Sequence, residues 1–369
     1  MDRAIPKVAV VGSGISGAVC ASVLATNGVC VTVFESGRGP GGRMSQRKEI
    51  IEDGKKVFFD HGAPFFTIRD NDVMSLVCKW ESRALVTQWK ESFGCVDCVS
   101  RKFVDNEKEG TNKMFVGVPG MNSICGALCC EHGVEAKFGI TVGKLNWLED
   151  KHVWELIGFD GQNLGQFDGV AASDYYVVSP WFTDVTGKKP PLDVTSNPEL
   201  ALKLQEVSFV SCFALMLAFE EPLSSIPVRS FSFKNSDVLR WAFCDSSKPG
   251  RLSSSECWVL HSTEEYAKRV ITQFGLRMPS VSLLSKVAEE LLQEFQKTVL
   301  GIPQPIFIKA HRWDRAFPTS AVAREEKCLW DISKRLAICG DFCVSPDVEG
   351  AILSGMAAAR NLLDCFNCL

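Results

Sequence analysis

A glycine-rich turn between two apolar segments constrains the fold of this chain more than any other feature. Residues 7–11 and 29–35 are predicted to be buried strands, because their apolar residues run almost without interruption, as a parallel sheet requires. Between them stands the pattern Gly12-x-Gly14-x-x-Gly17, followed by an apolar helix. A strand, a glycine-rich turn and a helix in this order predict a Rossmann-like unit that binds a dinucleotide.

Each glycine has a separate role in such a turn, and an acidic residue completes the pattern. Gly12 permits the tight turn, Gly14 lets a pyrophosphate approach the helix N-terminus, and Gly17 lets helix and strand pack closely. Glu35 ends the second strand, where its carboxylate can accept both ribose hydroxyls of an adenosine. The alternative, a glycine-rich turn without a ligand, is disfavoured by the complete strand–helix–strand context.

Two further segments suit a long dinucleotide cofactor. Arg43 follows a pair of glycines just beyond the second strand and can neutralise a phosphate through a bidentate contact. Near the C-terminus a predicted strand leads into Asp341, which can accept a ribityl or ribose hydroxyl. A helix then opens at Gly350, where its N-terminus favours negative charge on the pyrimidine ring of a reduced flavin. The alternatives are a solvated loop arginine for Arg43 and a capping or turn residue for Asp341.

The remaining segments predict a second, mostly antiparallel region. Amphipathic helices are predicted at residues 70–89 and 281–300, and a last helix at 349–366. Strands of a large antiparallel sheet are predicted at 207–220, 228–234, 238–245 and 256–262, and a β-meander at 138–180 with a buried strand at 175–178. We therefore expect a discontinuous dinucleotide-binding domain (1–60, 113–182 and 323–369) and a substrate domain (61–112 and 183–322).

Composition limits the partners and the compartment. Lys and Arg total 40 against 44 Asp and Glu, a net charge of -4, which argues against nucleic-acid binding. The longest apolar run, 207–219, is too short to cross a bilayer, and the N-terminus lacks a signal-peptide pattern. The 16 scattered cysteines predict reduced thiols and no metal site. An intracellular, cytoplasmic protein is expected, or an organellar one, such as chloroplastic, if an upstream targeting peptide is missing.

Three motifs of this chain together resemble the cofactor-binding motifs of the flavin amine oxidase superfamily, and within it those of the renalase family. They are the glycine-rich turn with Glu35, the Arg43 loop and the Asp341 segment. The resemblance extends over almost the whole chain and is supported by the stretches 60–64, 116–121, 259–263 and 303–305, followed by Trp313. It implies an α/β fold of the p-hydroxybenzoate hydroxylase type, with a Rossmann-like FAD-binding domain and an antiparallel-sheet substrate domain. Together with the motifs, it predicts non-covalent FAD at Gly12, Gly14, Ser16, Gly17, Glu35, Gly42, Arg43, Ala63, Pro64, Val142, Asp341, Gly350 and Ala351.

The resemblance also implies a reaction. Renalase-type enzymes oxidise aberrant dihydronicotinamide isomers to NAD(P)+ and pass the electrons to O2. We therefore predict an FAD-dependent oxidoreductase that takes a hydride from such a nicotinamide dinucleotide onto flavin N5. No catalytic side chain is assigned, because loss of hydride makes a dihydropyridine aromatic without a protein base. The residues predicted to face the substrate are His61, Arg240, His261 and Trp313, for each of which a purely structural role is the alternative.

Two other functions remain open at this point. One is an FAD amine oxidase or a desaturase-like enzyme acting on an apolar substrate. The chain has only 3 tyrosines, two of them in a predicted buried strand, which lowers the support for an aromatic wall of the amine oxidase type. The other is a flavoprotein whose FAD is structural or redox-sensing. The sequence also departs from the renalase pattern at Pro64 and Phe65, where those proteins carry Gln-Tyr, and at Pro346.

Overall fold

Two large sheets organise the part of the chain that the computed structural model describes, which is residues 5–52, 54–104, 113–195, 197–251, 254–275 and 278–367. The strands are β1 (Lys7–Val11), β2 (Cys30–Glu35), β3 (Arg47–Ile50), β4 (Lys56–Phe59), β5 (Val86–Trp89), β6 (Phe93–Asp97), β7 (Lys102–Val104), β8 (Met114–Gly117), β9 (Val134–Phe138), β10 (Val142–Leu148), β11 (Val153–Gly158), β12 (Asn163–Phe167), β13 (Gly169–Ala172), β14 (Phe209–Phe219), β15 (Ser230–Lys234), β16 (Leu239–Cys244), β17 (Glu256–Ser262), β18 (Phe307–Pro318), β19 (Leu329–Asp331) and β20 (Leu336–Ile338). The helices are α1 (Ile15–Thr26), α2 (Asn71–Ser82), α3 (Asn122–Cys129), α4 (Trp181–Thr186), α5 (Pro198–Gln205), α6 (Glu264–Phe274), α7 (Val281–Thr298), α8 (Asp341–Val344) and α9 (Val348–Asn367).

The first sheet is the predicted Rossmann-like layer. Its strand order is β19-β20-β13-β1-β2-β9, and all neighbours are parallel except β19, which runs antiparallel to β20. The central strand β1 is buried from Val8 to Val11, as its unbroken apolar sequence predicts. Helix α1 packs against α9 at a point where a Cβ on Gly355 would lie 2.2 Å from the Ser16 carbonyl oxygen. Only glycine permits that approach.

The second sheet is the mostly antiparallel layer. Its order is β18-β14-β17-β16-β15-β6-β7, and only β15 and β6 pair in parallel. Helices α6 and α7 cover one face, and their N-termini are capped by Thr263 and Ser280. Trp258, Phe231 and Phe295 fill the core beneath them. The opposite face of β14, β16, β17 and β18 contributes residues to the central cavity described below.

The structure corrects three predictions of secondary structure. The helix predicted at 70–89 ends at Ser82, because Ala84 adopts a left-handed conformation with φ 55° and residues 86–89 form β5. The strand predicted at 175–178 is a single 3-10 turn at Tyr175–Val177, stabilised by the Asp174 side chain, which accepts a hydrogen bond from the Tyr176 amide. The meander is shorter than predicted and comprises β10, β11 and β12, whereas β13 joins the Rossmann-like sheet.

Two general features of the described residues bear on the sequence analysis. None of their helices is long and apolar enough to span a membrane. The cysteines among them are free thiols, most of them buried. Buried thiols of this kind pack as small hydrophobic side chains.

Candidate cofactor and substrate site

Two cavities meet at the glycine-rich turn. The central cavity holds about 1400 Å³ of empty space, its open mouth included. It is lined on one side by the start of α1 and by the segments that follow β2, β13 and β20, and on the other by strands of the antiparallel sheet. A second cavity of about 970 Å³ is lined by Gly12, Glu35, Val142 and Asp174, among others. Because Gly14 lines the central cavity and Gly12 lines the second, one elongated ligand can pass from one cavity to the other over the turn.

The N-terminus of α1 presents unpaired donors to the central cavity. Gly14 is the N-cap and supplies no side chain, and the first turn contains no acidic residue. The first-turn amides therefore have no side-chain partner from this end of the helix. The Ser16 hydroxyl is buried without a hydrogen-bond partner among the described residues. A Cβ placed on Gly14 would meet nothing within 4 Å, so empty space lies against the backbone where a pyrophosphate would approach.

Glu35 is held at the entrance to the second cavity. One carboxylate oxygen accepts hydrogen bonds from the Ser13 amide (2.8 Å) and the Ser13 hydroxyl (2.6 Å). The other accepts one from the Gly37 amide (2.7 Å). Val142 begins β10 and lines the same cavity, so the fold brings these two predicted cofactor residues together.

Arg43 and Asp341 contact each other directly, which the sequence analysis did not predict. The guanidinium donates from Nη1 to Oδ2 (2.6 Å) and from Nη2 to Oδ1 (2.7 Å), and Nη1 also donates to the Ala316 carbonyl oxygen (3.0 Å). Burial alone would lower the pKa of Arg43, but the Asp341 carboxylate outweighs it and the net pKa is raised. Both side chains line the central cavity, where the pair presents a fixed polar wall.

Some predicted cofactor residues lie beside the cavities without lining them. A Cβ on Gly17 would stand 2.1 Å from the Gly12 carbonyl oxygen, so Gly17 allows helix packing, as predicted. Gly42 and Gly350 also lie outside both linings, whereas Ala63, Pro64 and Ala351 line the central cavity. The prediction that α9 opens at Gly350 was off by two residues. The helix begins at Val348, and the Gly350 amide is already bonded to Asp347.

The half of the central cavity away from the glycine-rich turn is aromatic. Trp241 and Phe243 alternate along β16 and therefore point to the same face of the sheet. No Asp or Glu belongs to this half of the lining, since the two acids that line the cavity, Asp341 and Asp347, lie in the C-terminal segment. Its walls are formed by Phe65, Phe93, Cys212, Trp241, Phe243, His261, Trp313 and Phe317.

His261 and Trp313 share one hydrogen-bond acceptor. The carbonyl oxygen of His61 lies 3.1 Å from His261 Nε2 and 3.0 Å from Trp313 Nε1. Because a carbonyl oxygen only accepts, the contact assigns the proton of neutral His261 to Nε2 and leaves Nδ1 as an acceptor. Burial lowers the pKa of His261 to about 4, so the ring is neutral at physiological pH.

Three of the 5 histidines of the chain gather at this point, although they are distant in sequence. The His61 ring lies outside the cavity lining, with centroids 4.9 Å from both His311 and Trp313. Burial lowers the pKa of His61 to about 3 and that of His311 to about 4. His311 was missed by the sequence analysis, which predicted no strand around Trp313, although its position two residues before Trp313 was an available signal.

Arg240 stands at the rim of the central cavity and does not line it. Its guanidinium lies 4.0 Å from the Trp241 ring centroid and 5.9 Å from that of Phe317, both of which do line the cavity. The side chain is exposed. The aromatic lining itself was largely missed, because alternation within a strand does not show which face meets a cavity.

Comparison with known proteins identifies the family. A model described as a flavin containing amine oxidoreductase matches residues 81–363, and one described as an NAD(P)-binding Rossmann-like domain matches residues 10–79. The chain belongs to the flavin-containing amine oxidoreductase family. It is an FAD-dependent oxidoreductase and is similar to renalase, as the sequence analysis predicted. The donors at α1, Glu35 and the Arg43–Asp341 pair are compatible with FAD.

Individual relatives agree with this assignment. Renalase of Mus musculus is 23% identical over 363 residues, which is 96% of this chain and 98% of that protein. A carotenoid phi-ring synthase of Streptomyces griseus is 46% identical over 57 residues, 15% of this chain and 11% of that protein. An oxidoreductase of Methanosarcina mazei superposes with a TM-score of 0.66 at 12% identity, covering 96% of this chain and 100% of its own. A putrescine oxidase superposes with a TM-score of 0.67 at 11% identity, covering 98% and 99%. These structures confirm the predicted fold.

Proposed function

We propose that this oxidoreductase takes a hydride from a dihydronicotinamide, an isomer of NAD(P)H of the kind oxidised by renalase-type enzymes, and passes the electrons to O2. The observation that carries the proposal is the aromatic half of the central cavity, which contains a neutral histidine and no carboxylate. A planar, uncharged dihydropyridine ring fits such walls by stacking. The oxidised product is cationic and aromatic, and the aromatic half of the cavity offers no acid that would retain it.

The polar groups around these walls suit the remainder of a nicotinamide dinucleotide. His261 Nδ1 can accept a hydrogen bond from the amide group of a carboxamide, since Nε2 is engaged with His61. Arg240, exposed at the rim, can meet a phosphate of the same molecule. Trp313, fixed by its bond to the His61 carbonyl oxygen, closes the wall between the substrate and the Ala63–Pro64 turn.

Bound FAD supplies the hydride acceptor, so the protein residues have to bind, orient and exclude water. Within this proposal the first-turn amides of α1, Ser16 and Arg43 hold the pyrophosphate, and Glu35 and Val142 hold the adenosine. Asp341, Ala63, Pro64 and Ala351 stand along the flavin. Gly12, Gly17, Gly42 and Gly350 act through the close packing that they permit. We also propose the division into an FAD-binding domain (1–60, 113–182 and 323–369) and a substrate domain (61–112 and 183–322).

Anaerobic reduction of the purified holoprotein tests the proposed substrate. We expect isomers of NADH and NADPH to bleach the visible flavin absorbance, and readmitted O2 to restore it with formation of hydrogen peroxide. Bleaching by primary amines alone would overturn the proposal in favour of an amine oxidase. A flavin that no donor reduces would favour a non-catalytic role.

Arg240 provides a sharper test of substrate class. Arg240→Met should raise KM for a dinucleotide isomer about threefold to tenfold, because one charged phosphate contact is lost. It should leave KM unchanged for an N-alkyl dihydronicotinamide, which has no phosphate. Arg269→Met is the matched control, because Arg269 is also exposed and stacked on an aromatic ring, that of Tyr266 on α6.

A second candidate function is favoured by the same apolar walls. Phe65, Phe93 and Phe243 would also accept an uncharged amine or a hydrocarbon chain, as an amine oxidase or a desaturase-like enzyme requires. The absence of a carboxylate from this half of the lining disfavours a dication as substrate. Reduction by an apolar monoamine with no reduction by NAD(P)H isomers would support this candidate.

A further inference from the structure

A buried group of four charged residues lies beneath the site and takes no part in the functions proposed above. This ion cluster consists of Asp60, Asp245, Lys248 and Arg251. Lys248 Nζ lies 3.1 Å from Asp60 Oδ2 and closer still to Asp245 Oδ1, and Arg251 contacts Asp60 Oδ2 through Nη2. No side chain of the four is more than 4% exposed. Two acids and two bases balance the charge.

The ion cluster connects three segments that are distant in sequence. Asp60 Oδ1 accepts a hydrogen bond from the Met121 amide (3.1 Å), and Arg251 donates to the carbonyl oxygens of Gly117 (2.9 Å) and Pro119. The Asp60 amide donates to Asp245 Oδ2 (3.2 Å). The cluster therefore joins the end of the β4 segment, the turn between β8 and α3, and the 245–251 connector between β16 and β17.

Two parts of the central cavity lining adjoin these segments, namely the turn that follows Asp60 and the wall formed by β16 and β17. Asp60 directly precedes His61, whose carbonyl oxygen orients His261 and Trp313. The same turn then continues to Ala63, whose amide donates to the Arg43 carbonyl oxygen (2.8 Å). The 245–251 connector joins the strand that carries Trp241 and Phe243 to the strand that carries His261.

Stability alone does not account for a cluster of this kind. Desolvation of buried charges offsets most of their attraction, and well-packed apolar side chains of similar volume are often equally stable. Charged groups differ from apolar ones in demanding a particular geometry, since each oxygen and each N–H must find its partner. In this chain the geometry that they impose is the distance between the 61–64 turn and the β16–β17 wall.

We propose that the ion cluster is a positioning element of the active site, which fixes the Ala63–Pro64 turn against FAD and fixes the His61 carbonyl oxygen against His261 and Trp313. The four residues touch neither substrate nor cofactor, so they are positioning residues. The inference rests on FAD binding in the central cavity and is independent of the substrate proposed above. A misplacement of about 1 Å at such a site costs about a hundredfold in rate, whereas it changes the fold little.

The decisive variant removes one acid and one base together. Asp245→Asn with Lys248→Met keeps the cluster neutral and leaves the Asp60–Arg251 contact, so the protein is expected to fold with an unfolding midpoint near that of the wild type. We expect a shifted visible flavin spectrum and an FAD dissociation constant raised about tenfold or more, as loss of preorganisation predicts. Arg229→Met with Glu256→Gln is the control, because it removes another ion pair (3.2 Å), at the end of β17 away from His261.

Two further observations keep the test decisive. A folded double variant with the wild-type flavin spectrum and FAD affinity would overturn the proposal, whatever the substrate proves to be. Should the double variant fail to fold, Arg251→Lys retains all four charges and alters only the geometry with which residue 251 contacts Asp60, Gly117 and Pro119. The proposal then requires a shifted spectrum of the bound flavin in Arg251→Lys, and an unshifted one would refute it.

Discussion

At the scale of single residues, Gly14 is a position where a substitution should weaken cofactor binding without changing the stability of the fold. Its φ of -61° is open to any residue, and a Cβ there meets nothing within 4 Å. Gly14→Ala should therefore leave the urea midpoint of the apoprotein unchanged. The methyl group would occupy the approach of the pyrophosphate, so FAD should bind about tenfold more weakly, a loss of about 1.4 kcal/mol.

A fluorescence titration of apoprotein with FAD measures this change. Gly39→Ala is the control, because a Cβ there also meets nothing within 4 Å and Gly39 lines neither cavity. Wild-type FAD affinity in Gly14→Ala would show that the cofactor does not approach the helix at this point.

The buried histidines predict how stability depends on pH. Burial, with the positive charges of Arg47, Arg312 and Lys309, lowers the pKa of His311 to about 4. In the unfolded chain a histidine titrates near pH 6.5, so between about pH 6.5 and 4 the unfolded state binds a proton that the folded state does not. Stability contributed by the neutral ring is therefore present above pH 6.5 and is lost as the pH falls towards 4.

His311→Gln should make that loss shallower. The slope of unfolding free energy against pH should fall by up to about 1.4 kcal/mol per pH unit between pH 6.5 and 4. Urea unfolding at several pH values measures it, and above pH 7.5 the two slopes should coincide. Equal slopes throughout the acidic window would mean that His311 is protonated in the folded protein.

At the scale of elements, local sequence determines what was predicted correctly. The β1–α1–β2 unit was predicted closely because its turn needs glycine and its strands are buried on both faces. The helix at 70–89 was overextended because apolar spacing continues past Ser82, whereas the left-handed Ala84 that ends the helix has no sequence signal of the kind glycine provides. The turn at Tyr175–Val177 was predicted as a strand, because a run of four apolar or aromatic residues is also typical of a buried strand.

The arrangement of the site was less predictable, because its contacts join distant segments. Arg43 and Asp341 were each recognised, but their pairing over 298 residues has no local pattern. The ion cluster joins Asp60 to residues 185 to 191 positions away, and each member alone resembles an ordinary charged loop residue. Chemistry at single positions could be predicted from the sequence, whereas partnership between positions required the fold.

Glu349 connects two elements at the cavity. From the first turn of α9 its Oε1 accepts hydrogen bonds from the amides of Arg69 (2.6 Å) and Asp70 (2.7 Å), where α2 begins. Glu349→Ala leaves two amides without this partner and should destabilise the protein by about 2 kcal/mol. Glu349→Gln keeps a carbonyl oxygen in place and should cost about half as much.

Urea unfolding compares the two variants, and hydrogen exchange locates the effect. We expect faster exchange at residues 69–73 in Glu349→Ala, with weaker FAD binding because Thr67 and Val348 beside this contact line the central cavity. If the alanine and glutamine variants were equally stable, the hydrogen bonds to α2 would contribute nothing.

At the scale of the whole molecule, FAD should couple the two sheets. The central cavity takes Gly14 and Ser16 from the Rossmann-like side and Trp241 and Trp313 from the antiparallel side. A ligand that contacts both favours the folded state of both, and at a hundred times its dissociation constant it stabilises by about 2.7 kcal/mol. FAD should therefore raise the unfolding temperature of the apoprotein and slow hydrogen exchange in α1 and in β18.

ADP tests whether protection of α1 and protection of β18 come from different parts of FAD. It carries the adenosine and pyrophosphate but lacks the flavin, so it should fill the second cavity and reach α1 without meeting β18. We expect ADP to protect α1, β2 and the start of β10, and to leave exchange in β18 at the rate of the apoprotein. Protection of β18 by ADP as strong as by FAD would mean that the sheets are coupled through the protein itself, through contacts such as Arg43 to the Ala316 carbonyl oxygen and Trp313 to that of His61.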